Sequence, residues 1–241
     1  WRIYSVLKQP LRLHQEQLLL VRAGSTPTSI LNRLEADGVL DDDFWLRVYW
    51  RLNLDGECLE RGEYLMIPGL TAEGLIGMWK RGEVVQYSLT LVEGWNFQQI
   101  RSVLAKHKKI KRTILGLSNS EVMEKLGHPG ESPEGRFFPD TYRFVLGMTD
   151  VRFLKKCYNR LGDVLAQEWS KRATDTSYAD PYQALIMASL VEKETGMAQE
   201  RGKIAGVFVR RMKLGMLLQT DPTVIYGLGE RYNGRLTRGQ L

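Results

Sequence analysis

Two glutamates near residue 190, Glu192 and Glu194, are the side chains of this 241-residue chain best suited to acid–base chemistry. The segment before them opens with a helix-start signal, because Asp180 can cap a helix and Pro181 suits its first position. The residues that follow are nearly all apolar or small. A helix that is apolar on all sides is typical of a buried position. Two carboxylates at its end therefore need an explanation.

Helical geometry separates the two carboxylates. At about 100° per residue their side chains point about 160° apart, so they cannot act as a pair at one site. Their neighbours on the helix surface differ: Met187, Leu190 and Val191 beside Glu194, and Leu185, Ala188 and Ser189 beside Glu192.

The expected helix end favours a protonated carboxylate. Gly196 suits the residue after a helix C-terminus, so both acids lie at the negative end of the helix dipole, among apolar neighbours. Both influences favour the neutral form, which is the form that a general acid needs. In the alternative interpretation, one glutamate pairs with a cation such as Lys193 or Arg201 and only closes the core. Geometry leaves both interpretations open.

Two further helices are predicted downstream. Apolar residues recur at helical spacing at Ile204, Ala205, Phe208 and Met212, and Gly215 ends this helix. Asp221 and Pro222 then start a short helix that continues through Tyr226.

Residues 188–196 (ASLVEKETG) and 200–234 (ERGKIAGVFVRRMKLGMLLQTDPTVIYGLGERYNG) carry a specific resemblance. This long segment resembles the catalytic core of the membrane-anchored endolytic murein transglycosylases, the YceG-like family. The resemblance implies that Glu194, the second glutamate of the EKET motif, is the catalytic acid. It further implies that the substrate is the glycan strand of peptidoglycan, and that no cofactor takes part.

The reaction implied by the resemblance uses one carboxyl group. Glu194 would protonate the glycosidic oxygen between N-acetylmuramic acid and N-acetylglucosamine, with an oxocarbenium-like transition state. The resulting carboxylate would then take the proton of the muramic C6 hydroxyl, which closes a 1,6-anhydro ring. Water is not the nucleophile, so the reaction is that of a lyase.

The resemblance also suggests residues around Glu194. Orienting the sugar or holding Glu194 in place is assigned to residues that follow the second helix, and a supporting role to two residues of the first: Gln219, Thr220, Asp221, Tyr226 and Asn233, with Glu192 and Ser189. Alternatively, Asp221 is a helix N-cap and Asn233 is a turn residue.

The amino-acid composition narrows the classes of binding partner that we expect. A formal net charge of +6 and a pI near 9.3 suit an anionic partner. The densest basic run, residues 106–112 (KHKKIKR), contains no aromatic residue and is predicted to be a solvated helix end, so we do not expect nucleic-acid binding. The three histidines have no metal-ligand spacing, and Cys58 and Cys157 do not reveal whether they pair.

An internal repeat organises the first half. An extended apolar stretch reaches a glycine and then a helix three times, with apolar residues six and ten positions after each glycine. The predicted elements are strands at residues 18–21, 64–67 and 87–92, an intervening helix at 44–52, and helix starts at residues 26–27 and 70–71. The repeat glycines and their partners are Gly24 (Ile30, Leu34), Gly69 (Leu75, Trp79) and Gly94 (Ile100, Leu104).

The predicted fold class is α+β. A strand–helix–helix–strand unit from Gln15 to about Arg81 resembles a small LysM-like module, which either contacts glycan or only positions the catalytic domain. We therefore expect an N-terminal region at residues 1–86 and a mixed, helix-rich catalytic domain at 87–241. Residues 94–180 are mainly helical, with an amphipathic helix at 151–170. Within them, residues 136–142 (RFFPDTY) are interpreted as a packed aromatic turn, with substrate contact as the alternative.

The resemblance implies more than this chain contains. Family members carry a membrane-spanning helix upstream, which would tether a periplasmic domain to the inner membrane, and the chain has no apolar run of about 20 residues. They also continue beyond Leu241, so the catalytic domain is expected to be truncated here and poorly active. Peptidoglycan synthases are possible partners.

Two other functions compete. A non-catalytic cell-wall binding or scaffolding protein would use the LysM-like unit alone. A glycan-digestion assay distinguishes this function from that of a transglycosylase. A pyridoxal-phosphate-dependent aminodeoxychorismate lyase, a label this family has carried, needs a Schiff-base lysine and a phosphate cradle. The sequence shows no glycine-rich phosphate loop, and an absorbance scan would detect the cofactor.

Overall fold

The structure is a computed structural model that describes residues 2–41, 44–53, 59–237 and 239. Helices dominate it, and two small two-stranded sheets, β1–β2 and β3–β4, complete an α+β fold. The elements in chain order are α1 (Arg2–Lys8), β1 (Gln17–Val21), α2 (Pro27–Ala36), α3 (Phe44–Asn53), β2 (Gly62–Met66), α4 (Ala72–Arg81), β3 (Gln86–Thr90), α5 (Phe97–Lys106), α6 (Asn119–Leu126), β4 (Thr141–Val145), α7 (Asp150–Ser170), α8 (Pro181–Glu194), α9 (Ala198–Lys213) and α10 (Asp221–Leu228), followed by a 3-10 turn (Gly229–Arg231). No helix among the described residues is long and apolar enough to span a membrane.

The chain divides into two compact units. The first contains residues 1–88, 108–111 and 143–148, and the second contains residues 89–107, 112–142 and 149–241. The functional division that the sequence suggests, at residues 86 and 87, stays a prediction.

The first unit contains the predicted strand–helix–helix–strand order. β1 and β2 pair antiparallel, with Leu19 opposite Tyr64, and their inward side chains pack on α2 and α4 in one apolar core. Part of the basic run belongs to this unit and is not simply solvated: Lys109 Nζ lies 3.2 Å from the Glu63 carboxylate, and Ile110 is buried. Likeness to a LysM module stays a prediction.

Helix starts of one type recur along the chain. The three repeat glycines predicted from the sequence have φ between +73° and +87°, and two more, Gly116 and Gly147, have φ within this range. Two residues after each glycine, a side chain caps the helix by accepting a backbone N–H at 2.9–3.2 Å; the caps are Thr26, Thr71, Asn96, Ser118 and Thr149. The residues six and ten positions after every glycine are buried. The predicted repeat is therefore confirmed at its three glycines, and its glycine, cap and buried offsets recur at Gly116 and Gly147, although no strand precedes Gly116.

The copy at Gly147 anchors the long helix α7 through a buried carboxylate. Asp150, 2% exposed, accepts hydrogen bonds from the backbone N–H groups of Thr113 (2.7 Å), Ile114 (3.1 Å) and Val151 (2.8 Å), and from the Thr113 hydroxyl. The loop before α6 is thereby fixed to the start of α7.

We expect Asp150→Ala to lower the free energy of unfolding by about 3 kcal/mol, because buried backbone donors would lose their acceptor. Asp163→Ala, at an exposed position of the same helix, is the control and should change it by no more than about 0.5 kcal/mol. Urea unfolding followed by circular dichroism measures both. Similar values for the two variants would contradict the anchoring role.

Candidate active site

Helix α8 carries the two candidate glutamates, and its burial is one-sided. Its N-cap is Asp180, as predicted, with Oδ1 accepting the Gln183 N–H at 2.9 Å. Only Met187 and Val191 are buried, against Phe208 of α9, whereas Ile186 is 47% exposed. The prediction of a helix buried on all sides is wrong, because α7, α9 and α10 contact it without enclosing it.

The end of α8 is closed by a threonine and not by a glycine. Gly196 does not have the positive φ expected of it, and Thr195 at the C-cap is extended. The buried Thr195 hydroxyl donates to Glu200 Oε2 at 2.8 Å and accepts the Met197 N–H at 3.0 Å. These two residues fix the turn into α9, and sequence reasoning missed them although both lie in the EKET-to-ERGK segment.

Glu194 is exposed, so the apolar surroundings expected for it are absent. Its carboxylate is nevertheless held: the hydroxyl of Thr220, which is only 5% exposed, donates to Glu194 Oε1. The structure thus brings together two predicted site residues 26 positions apart in the chain. One carboxylate oxygen is fixed, and Oε2 remains to exchange a proton with a bound molecule.

The backbone that presents Thr220 is strained. Gln219, the residue before it, has φ +50°, and no other described non-glycine residue has a positive φ. This conformation costs about 1–2 kcal/mol in a residue other than glycine. The Arg211 guanidinium donates to the Leu218 carbonyl and so holds the strained segment to α9. Gln219 therefore shapes the site through its backbone, and Arg211 is a contributor that sequence reasoning missed.

Glu192 forms the kind of ion pair that the alternative interpretation expects for one of the two glutamates. Its Oε2 lies 2.9 Å from the guanidinium of Arg201, and its side chain is 27% exposed. The two glutamates thus differ in environment. Glu192 forms an ion pair with Arg201, whereas Glu194 accepts a hydrogen bond from the uncharged hydroxyl of Thr220.

The remaining predicted residues make contacts of their own. Thr220, and not Asp221, is the N-cap of α10, so the N-cap interpretation of Asp221 is wrong; Asp221 is an exposed residue of the first turn. Asn233 is exposed, and its Oδ1 accepts the Arg235 N–H at 3.3 Å, as a turn residue does. The exposed Ser189 donates to the Ile186 carbonyl of its own helix at 2.7 Å. Met212, predicted to face inward, is 40% exposed.

An aromatic group lies at the other end of α8. Tyr226 of α10 is 63% exposed, and partial burial of its hydroxyl, with the nearby charge of Glu134, raises the pKa of the phenol. Tyr182, which also acts electrostatically on Tyr226, carries the Arg136 guanidinium over its ring at 4.1 Å. The site is therefore an open surface, bordered by Glu194 at one end and by aromatic rings at the other.

Residues 136–142 pack as the predicted aromatic turn. The Phe137 ring stacks on that of Phe97 at 5.3 Å, and the Tyr142 hydroxyl donates to the Phe138 carbonyl at 2.7 Å. Behind this turn, burial raises the pKa of the Cys157 thiol to about 12. Cys58 lies outside the described residues, so the pairing of the two cysteines stays open.

Among the described residues, no group of three or more His, Cys, Asp and Glu side chains could hold a metal ion. A small pocket in the second unit is lined by Arg101, Arg112, Asp150 and apolar neighbours. None of the predicted site residues lines this pocket.

Comparison with known proteins places this geometry in context. A family model described as "YceG-like family" matches residues 19–241. An endolytic murein transglycosylase of Bacillus subtilis is 25% identical over 230 residues, which cover 87% of this chain and 62% of that protein. One of Streptococcus pneumoniae is 24% identical over 200 residues, which cover 71% of this chain and 36% of that protein. The chain thus spans less than two thirds of the length of either relative.

A solved structure supports the fold. The crystal structure of a YceG-like protein from Listeria monocytogenes superimposes with a TM-score of 0.53 at 23% identity, covering 95% of this chain and 80% of that one.

A double-mutant cycle tests the contact between Thr220 and Glu194. We expect Thr220→Val and Glu194→Ala to be non-additive by about 1 kcal/mol in the free energy of unfolding, because the two side chains share a hydrogen bond. The control cycle replaces Thr220→Val by Ser189→Ala, which removes an exposed hydroxyl that bonds within α8 itself. The effects of Ser189→Ala and Glu194→Ala on the free energy of unfolding should be additive within about 0.5 kcal/mol. Additivity in both cycles would show that the hydrogen bond contributes nothing.

Proposed function

Since this chain belongs to the YceG-like family, we propose that it is a lytic transglycosylase that cleaves the glycan strands of peptidoglycan from within. The observation that carries the proposal is the contact of Glu194 with Thr220 inside the matched segment. The names of the Bacillus and Streptococcus relatives support the same reaction class. An open surface suits a polymeric substrate, whose ends need not enter an enclosed cavity.

In the proposed reaction Glu194 acts twice. Protonated on Oε2, it gives its proton to the oxygen that links C1 of N-acetylmuramic acid to C4 of N-acetylglucosamine, and the C1–O bond breaks. The C6 hydroxyl of the muramic residue then bonds to C1, and its proton returns to Glu194. The enzyme ends unchanged, and no water enters the products. Thr220 keeps Oε1 in place throughout, so that one oxygen serves both proton transfers.

The exposure of Glu194 sets a condition on this mechanism. Proton transfer to a glycosidic oxygen is favoured where water is excluded, because water otherwise competes for the proton. Bound glycan must therefore displace water from Glu194, either alone or with further protein surface.

Several finer assignments remain part of the proposal. Gln219, Asp221, Tyr226 and Asn233 would contact the sugar chain, and Glu192 and Ser189 would support α8. A murein substrate requires the domain to act outside the cytoplasm. An inner-membrane anchor, a periplasmic position and a synthase partner stay predictions.

We expect Glu194→Gln to lower the rate of glycan cleavage at least about 100-fold, the scale of a lost general acid, at an unchanged melting temperature. Glu192→Gln is the matched control, two residues away on another face of the helix, and should retain most of the activity because its carboxylate is engaged by Arg201. The assay is release of soluble fragments from purified glycan strands. Wild-type turnover by folded Glu194→Gln would remove Glu194 from the mechanism.

The products distinguish a lyase from a hydrolase. We expect mass spectrometry to find 1,6-anhydromuramic ends on fragments formed within strands, with no heavy oxygen after digestion in oxygen-labelled water. Reducing muramic ends, one water heavier and labelled, would show hydrolysis instead. Products released only from strand termini would contradict endolytic cleavage.

A further inference from the structure

The glycine turn that starts α5 differs from the other four glycine turns in the residues that lie against it. A methyl group added at Gly24, Gly69, Gly116 or Gly147 would meet no atom within 4 Å. Added at Gly94, it would lie 3.4 Å from Lys193 Nζ and 3.8 Å from Glu192 Cγ. The Gly94 turn therefore lies against the last turn of α8, where Glu194 is the next residue in the chain.

The other side of the same turn faces the aromatic end of the site. The Phe97 N–H, at the first position of α5, donates to Glu134 Oε2 at 3.0 Å, and the charge of Glu134 acts on Tyr226. Between Gly94 and Phe97 are only Trp95 and Asn96. Trp95 therefore lies between a glycine beside the last turn of α8 and a backbone N–H that is bonded to Glu134.

The side chain at this position is larger than the turn requires. In the other four copies the residue after the glycine is Ser25, Leu70, Leu117 or Met148. A residue at this position commonly packs on the fourth residue of the helix, which needs apolar area but not an aromatic ring. Leucine suffices twice in this chain, and Trp95 is partly exposed. Local structure therefore does not explain the tryptophan.

Sugar rings supply an explanation. In a β-1,4-linked chain of N-acetylhexosamines the substituents are equatorial, so both faces of each ring present axial C–H groups. Such a face stacks on a flat aromatic surface, and an indole offers the largest one among the side chains.

We propose that Trp95 is a sugar-binding platform that positions the glycan strand beside Glu194. The inference rests on the proposed function and assigns a residue that the motif segment does not contain. Trp95 is a positioning residue: it acts on the sugar ring and takes no part in proton transfer.

The test is a pair of substitutions in Glu194→Gln protein, which should bind glycan without cleaving it. Trp95→Leu keeps the apolar contact, as Leu70 and Leu117 do in their turns, but removes the aromatic face. We expect Trp95→Leu to weaken binding of peptide-free glycan strands about tenfold by calorimetry, with an unchanged melting temperature, and Trp95→Phe to weaken it less. In the active protein, Trp95→Leu should raise KM with little change in kcat.

Trp169→Leu is the matched control. Trp169 is also partly buried, but the Arg172 guanidinium lies over its ring at 4.3 Å, so its aromatic face is already occupied. It should leave glycan affinity unchanged.

The outcomes separate this inference from the proposed function. If Trp95→Leu binds as tightly as its parent while the wild type cleaves glycan, the platform is wrong and the proposed function stands. Equal losses in Trp95→Leu and Trp169→Leu, or a loss that follows a lower melting temperature, would also overturn it. If neither wild type nor Glu194→Gln protein binds or cleaves glycan, both fail.

Discussion

The hydrogen bond from Thr220 to Glu194 is the interaction on which the candidate site depends. It joins the end of α8 to the start of α10, although the whole of α9 lies between them. A buried donor fixes a carboxylate that is otherwise in solvent, so the group is oriented without being enclosed. The strained backbone of Gln219 is maintained for this purpose, with Arg211 holding the preceding carbonyl. Strain at such a place is typical of functional sites, where the surrounding contacts over-determine an unfavourable conformation.

Much of the first half of the fold could be predicted because its signals are local. A glycine with positive φ, a capping side chain and apolar residues at offsets of six and ten occur within a dozen residues, so each copy can be read without knowing its neighbours. The copies at Gly116 and Gly147 were missed for different reasons. No strand precedes Gly116, and the strand before Gly147 begins within a segment whose aromatic residues indicated a packed turn.

The candidate site could be predicted only in part. Helical periodicity separated Glu192 from Glu194 correctly, because angles around a helix depend on the helix alone. It could not predict exposure, which depends on the elements that pack on each face. Apolar composition at Ile186 and Ala188 therefore indicated burial that the neighbouring helices do not provide. The contacts of Thr195 with Glu200 and of Gly94 with Lys193 depend on turns and on tertiary packing, which no spacing rule contains.

The recurrent helix start also has a kinetic consequence. Each copy brings a glycine, a cap and two core side chains into register through contacts close in sequence, so little loop-closure entropy opposes its formation. Caps lower the free-energy cost of forming the first helical turn, and forming this turn is the unfavourable step for an isolated helix. Contacts of this kind are associated with rapid folding. We therefore expect the capped helices α2, α4, α5, α6 and α7 to gain structure early, and the contact between α8 and α10 to form only once these supports exist. The carboxylate of Glu194, the candidate acid, would then be oriented among the last events of folding.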